Sequence, residues 1–310
     1  MSQQKYRLVT RSDFDGLVCA VLLNELDLID DILFVHPKDM QDGKIAITAR
    51  DITTNLPYVA GAHLVFDHHE SETVRNVGDR PNHIIRAHAP SAARVVFEHY
   101  GGQAAFPRMT EAMMDAVDKA DSAQFTREEI LDPTDWPLLN YLMDSRTGLG
   151  RFREFRISNY SLMMDLIKYC ADHGIEEILA LPDVKERVDL YFEHAERAKE
   201  QITRCTQVHG NLAVLDLRGE ETIWAANRFM IYALFPQCNI SIHAMWGVQK
   251  QNTVFATGKS ILDRSSKTNI GELMLAYGGG GHQAAGTCQI SNDMADEVLQ
   301  ALIARINQDG

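Results

Sequence analysis

Val65-Phe66-Asp67-His68-His69-Glu70 is the stretch whose reading decides the fold. Leu64, Val65 and Phe66 make a short apolar run of the kind expected for a buried strand. The run stops on an acid and two adjacent histidines. A strand ending in carboxylate and imidazole puts oxygen and nitrogen ligands at the carboxyl edge of a sheet, where open α/β folds place their chemistry. Two other segments follow the same pattern. Leu8-Val9-Thr10 runs into Asp13-Phe14-Asp15-Gly16, and Ile45-Ala46-Ile47-Thr48 runs into Asp51. Three strands, each delivering an acid at its carboxyl end, predict a single constellation.

Around these segments, strands and helices alternate. Strands are expected over 6–10, 32–35, 45–48 and 63–66, with an apolar helix over 16–26, a short helix after Asp51 and a further strand at Ile84-Ile85. Ser91 suits the N-cap of a helix that runs to Tyr100, where Gly101-Gly102 ends it. Such alternation predicts a mainly parallel sheet with flanking helices, an α/β fold. From Thr110 to about Gln207 the pattern is almost wholly helical, with helices over 111–120, 160–172 and 184–207. A smaller α/β set begins at Asn211: strand 212–215, helix 223–234, strands 240–244 and 253–257, helix 269–277, a glycine loop, strand 287–290 and a last helix to Ile306. The expected organisation is therefore a first domain over 1–190, a helical linker over 191–210 and a second domain over 211–310.

Composition narrows the function classes. The chain has 310 residues, 45% of them apolar and 24% charged, an ordinary balance for a globular protein. The formal net charge of −13 argues against gripping long duplex nucleic acid through a basic surface. A phosphate ester would instead have to be drawn in by divalent cations held in an acidic pocket. No apolar run approaches the ~18 residues that a membrane span needs, and Met1 to Lys5 carries no signal-like segment, so a cytoplasmic protein is expected. Cys19, Cys170, Cys205, Cys238 and Cys288 form no CxxC pair, which leaves zinc ribbons and redox motifs without support.

Each motif has a bland reading beside the chemical one. Asp13 and Asp15 lie on one tight turn before a helix. Two carboxylates that close favour a bound cation, but a helix cap explains an Asp there equally well. Asp51 alone is a loop acid. In Asp67-His68-His69 one imidazole can ligate metal while the other meets substrate, and Asp67 can orient a ring through its second N–H. Asp121, at the end of a half-apolar helix, invites a cation against the unfavourable helix dipole, with Asp118 as its competitor. Gly278-Gly279-Gly280-Gly281-His282 can turn backbone N–H groups inward as an anion nest, or be a simple linker. Arg264 can bind a phosphate in two-pronged fashion, or make a surface ion pair. Trp136, Trp224 and Trp246 are read as packing residues.

Taken in order, Asp13-x-Asp15-Gly, Asp51, Asp67-His68-His69 and Asp121-Ser-x-x-Phe resemble the four motifs of the DHH phosphoesterase superfamily. Gly278 to His282, continuing as Gln-Ala-Ala-Gly286, resembles the glycine-rich signature of its associated C-terminal domain. Together these span nearly the whole chain, and the set is similar to the two-domain group of nano-RNases, pAp-phosphatases and exopolyphosphatase-related proteins. The resemblance implies an active site in the interdomain cleft with two Mn²⁺ (or Mg²⁺) ions bridged by Asp51. One ion would also take Asp13; the other would also take Asp15, His68 and Asp121. It implies metal-activated water as nucleophile, His69 on the scissile phosphate with Asp67 behind it, and Arg264, Ser265, Gly279, Gly280, Gly281 and His282 on the rest of the substrate. The implied substrate is a short oligonucleotide or a small phosphorylated nucleotide, with no long duplex and no membrane partner; a homodimer is among the assemblies it allows. One feature departs from the family: the histidine usual just before the first Asp pair is absent, Val9 and Arg11 standing there instead, so the first metal site is expected to be the weaker. Two rival readings stay open, an exopolyphosphatase or pyrophosphatase and a non-catalytic nucleotide-binding module.

Overall fold

The structure, a computed structural model, describes residues 4–69, 80–152 and 154–310. Glu70, which closes the opening stretch, and Met1-Ser2-Gln3 lie outside them. The chain divides into two compact units. The first comprises Met1–Gln124, Thr134–Ser145 and Leu149–Asp189; the second comprises Phe125–Pro133, Arg146–Gly148 and Leu190–Gly310.

The first unit is built on a five-stranded sheet of β1 (Tyr6–Thr10), β2 (Ile29–Phe34), β3 (Asp51–Thr54), β4 (Leu64–Asp67) and β5 (His83–Ile85). Every pairing is parallel, in the order β2-β1-β3-β4-β5. The order reverses at β1 and β3, and the crevice beyond the carboxyl ends of such a pair is where open parallel sheets bind ligands. Helix α1 (Phe14–Glu25) is buried all round from Phe14 to Leu23, as expected of a helix at the centre of a fold rather than on its surface. It packs on α3 (Ala92–His99), α4 (Glu111–Asp121) and α7 (Asn159–Tyr169). The short helices α2 (Pro37–Gln41), α6 (Asp135–Met143) and α8 (Ile175–Ala180) complete the unit.

One strand moves relative to the sequence reading. Residues 45–48 are not a strand; β3 begins at Asp51 instead. Ile45 and Ile47 pack half-buried on a small cluster of Val9, Met40 and Leu56. Their apolar alternation thus serves a packed loop, while the fully buried Ile52-Thr53-Thr54 run supplies the strand in place of the helix expected after Asp51.

The second unit holds a mixed six-stranded sheet of β6 (Thr206–His209), β7 (Leu212–Asp216), β8 (Ile240–Trp246), β9 (Thr253–Lys259), β10 (Gly280–His282) and β11 (Ala285–Ile290), in the order β10-β11-β9-β8-β7-β6. Only β7 and β8 pair in parallel. Its core joins the inner faces of β7, β8 and β9 to Val298, Leu302 and Ile306 of the last helix, α12 (Ala295–Asp309), and to Met274 of α11 (Ile270–Leu275). The helix expected over 223–234 shortens to α10 (Met230–Leu234). Residues 125–133, with α5 (Arg127–Leu131), belong here: the Phe125 ring lies 5.9 Å from that of Phe229, and Asn227 Nδ2 donates to the Ile130 carbonyl at 2.8 Å. The 24-residue helix α9 (Pro182–Cys205) carries the division within it, between Asp189 and Leu190. Among the described residues, no helix is long and apolar enough to cross a membrane.

Candidate metal centre

Asp15 is placed by two helices. It sits in the first turn of α1, where Asp13 is the N-cap and accepts from the Gly16 amide at 3.0 Å. Gly16 has no room for a side chain, because a Cβ there would lie 2.0 Å from the Arg11 carbonyl oxygen. This holds the turn tight and turns Asp15 inward, 2% exposed. Its two oxygens accept from the first amides of α3, Oδ2 from Ala92 at 3.1 Å and Oδ1 from Ala93 at 2.8 Å. The exposed N–H groups and dipole at that helix start fix the carboxylate.

His68 follows β4. Its Nδ1 faces the Ala89 carbonyl at 3.1 Å, so Nδ1 carries the proton that bond needs and Nε2 is the ligand atom. Nε2 lies 2.8 Å from Asp121 Oδ2 at the end of α4. One ligand atom from each of Asp15, His68 and Asp121 lies within 4.8 Å of the other two, so the three can hold a metal ion. The charge balance supports this. Burial, then the nearby Asp121 charge, pushes the Asp15 carboxyl well above its usual range. Burial works to lower His68, but its hydrogen bond to Asp121 and the two carboxylate charges outweigh it and carry it up to about 9. Burial likewise opposes ionisation of Asp121, and His68 overcomes it, leaving the acid below its usual value. A proton on His68 is thus a partial counter-charge to the buried Asp15 and the partly buried Asp121, a place a divalent cation fills more completely.

The remaining candidates separate. Asp67 is fully buried; Oδ1 accepts from the backbone of His68 at 2.8 Å and of His69 at 3.2 Å, and lies 2.7 Å from His69 Nδ1. Its Oδ2 is buried without a hydrogen-bond partner among the described residues. Asp13 is paired with Arg11, Nε to Oδ2 at 3.1 Å. Asp118, the competitor of Asp121, is taken by Arg94 Nε and the Ser91 hydroxyl, each at 2.7 Å. Asp51 is not brought to this place. It stands at the start of β3, opposite Arg7 near the start of β1, and accepts from Arg7 Nε at 2.6 Å and from the Thr48 amide at 2.6 Å. Burial is opposed there by Arg7 and Thr48, which hold the Asp51 carboxyl below its usual range.

The residue at the carboxyl end of β3 is Asn55, which the sequence reading passed over. Its amide nitrogen donates to the Phe66 carbonyl at 3.1 Å, and Thr54 is in register with Thr10 and Phe66. Asn55 therefore stands level with Arg11 and Asp67, 1% exposed, at φ 55°, a backbone region that asparagine tolerates better than most residues. Neither Oδ1 nor Nδ2 has a hydrogen-bond partner among the described residues. The signal that could have found it is Ile52-Thr53-Thr54, a β-branched run ending on a residue suited to positive φ.

In the second unit the glycine stretch is a hairpin strand rather than a free loop: Gly280, Gly281 and His282 pair with Thr287, Gly286 and Ala285, and all three of the first are exposed. Gly279 is pressed against β11, where a Cβ would lie 2.2 Å from the Thr287 carbonyl oxygen. Arg264 is exposed, and Ser265 Oγ accepts from Asn239 Nδ2 at 3.0 Å.

Comparison with known proteins gives a full-length match. The chain is 70% identical to a pGpG-specific phosphodiesterase, PggH from Vibrio cholerae, covering 99% of this chain and 100% of that one with a TM-score of 0.86. It has the fold of RecJ from Thermus thermophilus, at 13% identity in the complex with Mn²⁺ (99% of this chain, 52% of that one, TM-score 0.54). The complex with Mg²⁺ gives 12% identity, 99% and 50% coverage and a TM-score of 0.52. No family model and no curated protein sequence matches.

Proposed function

Since the chain belongs to the DHH phosphoesterase superfamily, we propose that it is a divalent-metal-dependent phosphodiesterase acting on short nucleotides of the pGpG kind. The observation that carries this reading is the meeting of Asp15, His68 and Asp121 within 4.8 Å beyond a parallel sheet, in a chain 70% identical to a pGpG-specific enzyme. Asp15, His68 and Asp121 are the proposed ligands of Mn²⁺ or Mg²⁺. Such an ion, when bound, would supply a Lewis acid for the phosphoryl oxygens and lower the pKa of a bound water, easing its deprotonation to the nucleophile.

The chain's own residues do the rest. The α3 amides and the Ala89 carbonyl hold Asp15 and His68 in fixed orientations before anything binds, so no reorganisation is needed as charge develops. Asp67 accepts a hydrogen bond from Nδ1 of His69, which leaves Nε2 as the nitrogen available to a phosphate oxygen. Arg264, Ser265, Gly279, Gly280, Gly281 and His282 are assigned to substrate binding on the family resemblance. The acidic net charge suits a substrate with few phosphates rather than a long polyanion. A cytoplasmic location fits these small nucleotides.

The test is turnover of pGpG, pAp and tripolyphosphate by the purified chain with Mn²⁺. Hydrolysis of the dinucleotide well above the other two is expected. Preference for tripolyphosphate would replace the reading with a polyphosphatase, and nucleotide binding without any turnover would replace it with a binding module.

A further inference from the structure

Beside the Asp15–His68–Asp121 group, the carboxyl ends of β1 and β3 offer a second cation little uncompensated negative charge. Asp13 is the only acid from the end of β1 that is not in that group. One of its oxygens caps α1 and the other is paired with the Arg11 guanidinium. The end of β3 offers Asn55, a neutral amide, and the acid that the sequence reading placed there stands at the opposite end of the strand with Arg7. A second divalent cation needs anionic oxygen ligands that are not already neutralised. Here β1 and β3 supply one neutralised carboxylate and one amide beside the Arg11 guanidinium, and Asp67 at the end of β4, its Oδ1 engaged by His68 and His69, adds a single unpartnered carboxylate oxygen, Oδ2, which falls short of what a second cation needs.

The amide is the second observation. Asn55 is 1% exposed, and both its polar atoms lack hydrogen-bond partners among the described residues. A buried amide left unpaired is costly and calls for an explanation such as a ligand. It stands level with Arg11 across the β1–β3 pair. A guanidinium and an amide together offer N–H donors suited to phosphate oxygens.

We infer that this chain holds one divalent cation, at Asp15, His68 and Asp121, and that Arg11 and Asn55 take the place of a second ion in binding the substrate phosphate. This rests on the proposed metal site, and the experiment separates the two. Metal-free protein is titrated with Mn²⁺, with free ion read by electron paramagnetic resonance and bound ion by elemental analysis. One Mn²⁺ per chain is expected. Two ions of comparable affinity overturn this inference and leave the proposed function standing; no bound ion overturns both. In the double variant Arg11→His, Asn55→Asp the count is expected to rise to two, with spectral broadening from neighbouring ions, and a count that stays at one in a folded variant overturns the account of why there is one. The phosphate-binding role is read separately, on Arg11→Ala and Asn55→Ala, by affinity for a phosphorothioate dinucleotide. A loss of about tenfold or more at an unchanged Mn²⁺ count is expected, and unchanged affinity in both variants overturns that role.

Discussion

His68 shows how the chemistry of a single side chain reports on the whole centre. It is raised to about 9 in the folded chain from an ordinary 6.5. A histidine raised by folding contributes stability that is fully present below pH 6.5 and is lost as pH rises through about 9. Asp15, raised as well, acts in the same direction, while the lowered Asp121 contributes stability that is constant at neutral pH and is lost only in the acid range. Metal-free protein is therefore expected to melt at a lower temperature at pH 9 than at pH 6.5, and bound Mn²⁺ to flatten the slope because it competes with the proton. Calorimetry with and without chelator checks this; a slope that persists unchanged with metal bound counts against it. A second residue-level expectation concerns Arg7. Its removal leaves the 1%-exposed Asp51 without its main counter-charge, and Arg7→Ala should cost about 2–4 kcal/mol, discounted from a fully buried pair because Arg7 is 30% exposed. Asp51→Asn should leave the Mn²⁺ count unchanged, and loss of metal there would return Asp51 to the centre. Asp15, His68 and Asp121 were legible in sequence because each ends or begins an element with a clear pattern. Asn55 was not, since an uncharged amide carries no ligand signal until its burial and missing partners are seen.

Helix ends and strand edges hold these groups in place. The start of α3 serves Asp15 and, through its cap Ser91, also Asp118, so one helix N-terminus orders two acids of different fate. The Ser91 cap was readable because Ser before an apolar run has a physical preference for that position. The shift of β3 was not, because Ile45-Ala46-Ile47-Thr48 alternates as a strand does, and only the packing of Ile45 and Ile47 on Met40 and Leu56 shows that it serves a loop. The glycine hairpin makes a sharper case. Gly279 abuts backbone, not a flexible side chain, so Gly279→Ala has no cheap relaxation and should cost about 1–3 kcal/mol or more. Hydrogen exchange should rise in β9, β10 and β11 while the Mn²⁺ count stays the same; undisturbed exchange would mean that the hairpin yields more readily than its contacts imply.

At the scale of the whole molecule, the two units are not two consecutive lengths of chain. Residues 125–133 and 146–148 belong to the unit formed mainly by residues 190–310. Alternation of strand and helix revealed both sheets in the sequence, but nothing local marks a nine-residue segment as serving partners a hundred residues onward. A fragment ending at residue 190 keeps Phe125 and Ile130, 5% and 0% exposed in the full chain, without the residues that cover them. Each such side chain is worth about 1.5–3 kcal/mol when buried. The fragment is expected to aggregate or to bind a hydrophobic dye that the intact chain excludes, as gel filtration and fluorescence would show; a monomeric fragment that stays dark would sink this expectation.

The same interleaving sets a wait during synthesis. Ile130 leaves the ribosome 97 residues ahead of Asn227, whose amide its carbonyl will bind. At about 5–20 residues per second, that is roughly 5–20 s in which a nascent apolar segment has no cover. The early sheet can form on the emerging chain in that interval, but α5 cannot settle until Asn227 and its neighbours have been made.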